Sequence, residues 1–122
     1  MAGLSASLRI DSYASAPEGP EVPYLRSHGY LERTFGDPAQ AAGSDKDYRV
    51  LALSVPREHF PQLYLCCGAD DDLLPANRAY RDFLTAHGLP VTYEEGPGGH
   101  DWDFWNTFIL RIFNWLPLPA ED

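Results

Sequence analysis

Positive charge is scarce in this chain. Its 122 residues carry 9 Lys and Arg against 18 Asp and Glu, a formal net charge of -9. Phosphate backbones are bound by the opposite balance, so the composition argues against nucleic acid as a partner. Long apolar runs are lacking as well. No stretch approaches the roughly 18 uninterrupted apolar residues of a membrane span, and the N-terminus has no basic segment leading into an apolar one. The expectation is a chain with neither a membrane anchor nor a visible export signal. Cysteine is nearly absent: Cys66 and Cys67 are the two present, and they are adjacent. A bond between neighbours would force a strained ring, so they frame no secreted fold, and a reducing, cytoplasmic setting is the default expectation.

What is present suits one ordered domain spanning residues 1–122. The chain is 44% hydrophobic and 13% aromatic, and a domain of this length buries about two thirds of its unfolded surface, enough for a core without metal or disulfide staples. The first ten residues, Met1-Ala2-Gly3-Leu4-Ser5-Ala6-Ser7-Leu8-Arg9-Ile10, read as a buried strand. Residues 11–61 read as an irregular excursion with short helices: Pro17, Gly19, Pro20, Pro23, Gly29, Gly36, Pro38 and Gly43 punctuate its first part, and 45–53 suits one short helix.

Residues 62–118 are more regular. Leu63-Tyr64-Leu65-Cys66-Cys67 predicts a strand, followed by Gly68 and three aspartates. A helix follows, with Pro75 in its first turn, Gly88 beyond its end, and Ala76, Ala79, Tyr80, Phe83, Leu84 and His87 on one stripe. Val91-Thr92-Tyr93-Glu94-Glu95 predicts a second strand, closed by Gly96-Pro97-Gly98-Gly99. The last helix, about 101–116, places Trp102, Trp105, Ile109, Ile112, Phe113 and Leu116 on a face widened by Phe104 and Phe108, which predicts deep burial.

Strand, helix, strand, helix implies an α/β fold with parallel strands and crossover helices. Polar residues at the carboxyl ends of such strands line the ligand crevice. Asp70, Asp71 and Asp72 follow one strand and His100 follows the next. A carboxylate and an imidazole there form the rear part of a nucleophile–His–acid triad, the acid fixing the imidazole tautomer. Two plainer readings stand beside this one: an Asp-rich turn commonly caps a helix, and His100 after a glycine run suits an ordinary loop. A metal site made from the aspartates, His100, Asp101 and Asp103 is a further alternative, but no i, i+4 histidine pair supports it. A phosphoacceptor domain of similar size needs a late lysine, whereas the lysine here is Lys46.

The residues Leu63-Tyr64-Leu65-Cys66-Cys67-Gly68-Ala69-Asp70-Asp71-Asp72-Leu73, Ala76-Asn77-Arg78, Val91-Thr92-Tyr93-Glu94 and Gly98-Gly99-His100-Asp101-Trp102-Asp103-Phe104-Trp105 resemble the C-terminal part of α/β-hydrolase serine esterases of the esterase D type. That group includes tributyrin esterases and S-formylglutathione hydrolases, and the likeness is greatest to the bacterial tributyrin-esterase branch. It is strong over residues 60–118 and weaker back through Phe35-Gly36 and Gly43-Ser44-Asp45. The resemblance implies that Asp71 is the triad acid and His100 the base, with Asp72 the alternative acid if the register slips by one. It implies no cofactor and no metal. Its substrate class is a small acyl ester or thioester, turned over by the full-length parent.

No Gly-x-Ser-x-Gly occurs anywhere in the chain. The nearest approach, Gly3-Leu4-Ser5-Ala6-Ser7, has too little strand before its serine and a proline-rich stretch behind it. The segment instead resembles the family's strand downstream of the nucleophile elbow. The early strands, the oxyanion loop and the nucleophile are then missing from this chain, and the expectation is a hydrolase segment inert by itself. An open sheet edge would favour self-association. The competing expectation is a non-catalytic pairing or ligand-binding remnant of the fold.

Overall fold

A computed structural model of the chain describes residues 1–15 and 29–118. Pro17, Gly19, Pro20 and Pro23 of the expected excursion lie outside the described residues. The described chain forms two compact units, one made of residues 1–7 and 61 onward, the other of residues 8–60.

The first unit is built on a three-stranded parallel sheet: β1 (Ala2–Leu4), β2 (Tyr64–Gly68) and β3 (Thr92–Gly96), in the order β1-β2-β3. β2 is central, and all five of its residues are buried, as befits a strand covered on both faces. Two helices belong to the same unit. One spans Leu74–Ala86, with Pro75 in its first turn, where a missing N–H costs nothing. Just past its end, Gly88 takes the left-handed conformation at φ 66°, and Leu89 N–H returns to Leu84 O at 2.9 Å. The other helix spans Trp102–Trp115 and is capped by Asp101, whose carboxylate accepts from Phe104 N–H at 2.9 Å.

The core of this unit joins Tyr64 and Cys66 of β2 to Phe104, Phe108 and Ile112. The three helical residues recur at intervals of four, so they stack along one stripe, with the Phe104 and Phe108 rings 4.2 Å apart. The structure narrows the expected apolar face. Phe104, Phe108 and Ile112 are its buried centre, whereas Trp102 and Phe113 are exposed at 72% and 54%. The earlier helix departs from its expected stripe too: Leu74, Asn77 and Leu84 are its buried residues, and Ala79 and His87 are exposed. Asn77 takes the central place because its side-chain amide bonds the backbone at Ala6 and Leu73, each at 2.9 Å.

The first strand is shorter than its apolar run suggests. It stops at Leu4 because Ser5 takes φ 47°, outside the β region.

The second unit holds short helices at Ile10–Ser15, Tyr30–Phe35 and Tyr48–Ser54, and 3-10 turns at Pro38–Gln40 and Arg57–His59. The helix expected over 45–53 starts later, at Tyr48, because Asp47 serves as its cap. That buried carboxylate accepts from Gly43 N–H at 2.8 Å, from Arg49 N–H at 2.9 Å and from the Arg49 guanidinium at 2.7 Å. Arg49 also forks onto Asp11. The side-chain bond from Arg49, aided by the two backbone donors, holds the Asp47 carboxyl down at about 2 against the cost of burial.

Candidate active site

β2 and β3 end level with each other, Gly68 opposite Gly96. Their outgoing loops therefore leave the same sheet edge side by side, and their backbones lace together. Ala69 N–H donates to Gly96 O at 2.8 Å and Asp70 N–H to Gly98 O at 2.9 Å. The approach leaves no room for a side chain: a Cβ on Gly68 would lie 2.3 Å from Gly98 O. Glycine at 68 is thus a requirement of packing, while Gly98, at φ 112°, answers a requirement of the backbone.

This lacing brings Asp71 and His100 together. His100 Nδ1 lies 3.1 Å from Asp71 Oδ2. The other carboxylate oxygen accepts from Leu73 N–H at 2.8 Å, fixing the plane of the acid. Asp71 is 5% exposed, whereas the imidazole side chain is 54% exposed. Burial pushes the Asp71 carboxyl upward, but hydrogen bonds from Leu73 N–H, the Ser5 hydroxyl and His100 outweigh it and hold the group below its ordinary value. An ionised acid that accepts from Nδ1–H leaves Nε2 as the basic nitrogen, the form able to take up and return a proton. Trp105 sets its ring edge-on to the imidazole, centroids 4.9 Å apart, and Trp102 packs edge-on against Trp105.

The neighbouring acids fall into other places. Asp70 and Asp72 are exposed, and Asp101 is engaged with Gly99 N–H and Phe104 N–H. Of the three consecutive aspartates, it is Asp71 that pairs with His100. Among the described residues, no group of three or more His, Cys, Asp or Glu side chains is placed to hold a metal ion. Both cysteines are buried, and burial pushes the Cys66 thiol up to about 12 and the Cys67 thiol to about 11, which makes them poor nucleophiles. Two contributors were not evident in the sequence: Ser5, which is buried and accepts from the Trp105 indole N–H at 3.3 Å, and Asn77, which ties down the segment that follows Ser5. A polar residue on an otherwise apolar helix stripe is the signal that would have singled out Asn77.

No protein-family model matches the chain. A curated relative, an acetyl esterase of Caldicellulosiruptor saccharolyticus, is 42% identical over 120 residues, which are 97% of this chain but 45% of that protein. Among solved structures, the S-formylglutathione hydrolase of Staphylococcus aureus superposes with a TM-score of 0.70 at 25% identity, over 93% of this chain and 42% of its own. A fluorophosphonate-binding serine hydrolase of the same organism, in a substrate-bound form, gives 0.71 at 26% identity with the same coverage. The chain thus spans less than half the length of the proteins it matches. No helix among the described residues is long and apolar enough to cross a membrane. Sequence likeness, parallel sheet and loop placement agree: the chain has an α/β-hydrolase architecture and matches the C-terminal portion of esterases of the esterase D type.

Proposed function

We propose that this chain supplies the acid, Asp71, and the general base, His100, of a Ser–His–Asp triad that hydrolyses short acyl esters or thioesters, in the manner of a tributyrin esterase. The observation that carries the reading is the 3.1 Å bond between a buried carboxylate and an open imidazole at the carboxyl ends of neighbouring parallel strands. Asp71 fixes the Nδ1–H tautomer and stabilises the imidazolium. Nε2 of His100 takes the proton of a serine hydroxyl during acylation and returns it to the leaving group. The nucleophile and its oxyanion donors belong to the part of the relatives outside the matched region, because the sequence contains no Gly-x-Ser-x-Gly. The chain alone is therefore expected to be inert toward esters and to associate with itself along the open edge of β1.

The test is a fusion in which this chain replaces the matched region of the Caldicellulosiruptor acetyl esterase. The fusion is expected to hydrolyse p-nitrophenyl acetate, and the free chain is not. Asp71→Asn and His100→Ala in the fusion each lower kcat by about 10³- to 10⁴-fold, while Asp72→Asn leaves it near the parent value. A dead Asp72 variant beside an active Asp71 variant moves the acid by one residue. A folded, inactive fusion with its serine in place favours a non-catalytic remnant.

A further inference from the structure

Asn77 is the one polar side chain among the buried residues of the helix Leu74–Ala86, and its exposure is 0%. An amide so deep in the fold is tolerated only through its hydrogen bonds. Its Nδ2 carries two protons and bonds two carbonyls, Leu73 O and Ala6 O, each at 2.9 Å. Oδ1 is buried with no partner among the described residues. A leucine would fill similar space and strand no acceptor, so what asparagine adds at this position is its pair of donors.

The two carbonyls lie on the two arms that hold the acid and the histidine. On one arm, Leu73 N–H donates to Asp71 Oδ1 at 2.8 Å. On the other, Ala6 follows Ser5, whose hydroxyl oxygen accepts from the Trp105 indole N–H at 3.3 Å, and the Trp105 ring stands edge-on to the His100 imidazole. Asp71 and His100 meet at 3.1 Å where the arms converge. The contacts therefore run in a closed circuit, with Asn77 at one end and the acid–histidine bond at the other. Directional contacts joined in this way support one another more than the same contacts taken singly. We propose that Asn77 is a positioning residue: its amide joins the two arms and so sets how the Asp71 carboxylate faces the His100 imidazole, a role that rests on those two acting as acid and base.

The experiment is isotope-edited NMR of the whole chain, comparing wild type with Asn77→Leu, Asn77→Ser and a control, Leu84→Val, which trims a fully buried side chain of the same helix and leaves the circuit whole. Asn77→Leu breaks both bonds. A serine on a helix can still donate to the carbonyl four residues back, here Leu73 O, but is too short to hold Ala6 O. The expected result for Asn77→Leu is water exchange of the His100 Nδ1 proton faster by about 5- to 10-fold, the factor that one net hydrogen bond represents. The control of comparable melting temperature should keep the wild-type rate. In Asn77→Ser the Leu73 amide signal stays in place while the Trp105 indole signal moves. A merely structural asparagine would make exchange follow melting temperature, so folded Asn77 variants that exchange no faster than Leu84→Val overturn the proposal. If neither Asn77 variant folds, the wild type decides: the Asn77 carboxamide protons and the His100 Nδ1 proton must lose protection at the same urea concentration, and loss of one before the other refutes the circuit. The underlying reading fails separately, if Asp71→Asn in the esterase fusion leaves kcat unchanged.

Discussion

Replacing Gly68 with alanine adds one methyl group where two loops cross. The new Cβ would stand 2.3 Å from Gly98 O, 2.8 Å from Gly98 C and 2.9 Å from Gly99 O, all backbone atoms, against the 3.4 Å at which ordinary contact begins. Relief requires the histidine loop to withdraw by about 1 Å, a strain of the kind that overpacking sets at about 1–3 kcal/mol. The withdrawal stretches the 2.9 Å bond from Asp70 N–H to Gly98 O past useful range. It also loosens the 3.1 Å bond between His100 and Asp71. With about 1 kcal/mol for a lost bond, the expected destabilisation is about 3 kcal/mol. Urea denaturation followed by far-ultraviolet circular dichroism measures that figure, and the exchange rate of the His100 Nδ1 proton reports the site. Gly43→Ala is the control: at φ 76° with open space around its Cβ position it meets backbone strain alone, for a loss of about 1 kcal/mol. A Gly68→Ala protein with wild-type stability and an intact His100 signal would refute the claim that the loops interlock at this point.

Acid exposes the capping network of the second unit. The Asp47 carboxyl is held at about 2, below its ordinary 3.8, so its contribution is complete above the unfolded value and fades as pH falls through the folded one. The difference corresponds to about 2 kcal/mol, lost between about pH 4 and 2. Asp47→Asn should flatten that part of the stability curve; an unchanged curve removes Asp47 as the cause. Cys66 and Cys67, buried with thiols raised to about 12 and 11, should react with iodoacetamide at pH 8 only on unfolding, and mass spectrometry showing rapid labelling of the native chain would contradict their burial.

The sequence carried the βαβ order, the strand ends and the pairing of an acid with His100, because each is written locally. A continuous apolar strand, a proline-opened helix and a glycine-closed loop need no distant information. The same sequence could not separate Asp71 from Asp72 by composition; that distinction depends on the turn in which Leu73 N–H reaches Asp71 Oδ1. Nor could it show that Trp102 and Phe113 remain exposed while Phe104 and Phe108 are buried. Periodicity defines a helix's apolar arc but not the part of that arc that meets β2. Ser5 escaped for another reason: its partners Cys66 and Trp105 are far along the chain, and an isolated serine after a short strand carries no local sign of them.

The strand order has a kinetic consequence. β2, β3 and their two helices are contiguous in the chain, whereas β1 arrives from far upstream, Met1 N–H meeting Gln62 O across 61 positions. Closing so long a loop is entropically costly, and only three residues of edge strand offset it. Within this chain β1 is therefore expected to dock last and to fray first, and its fraying would release Ser5 from the Trp105 indole N–H.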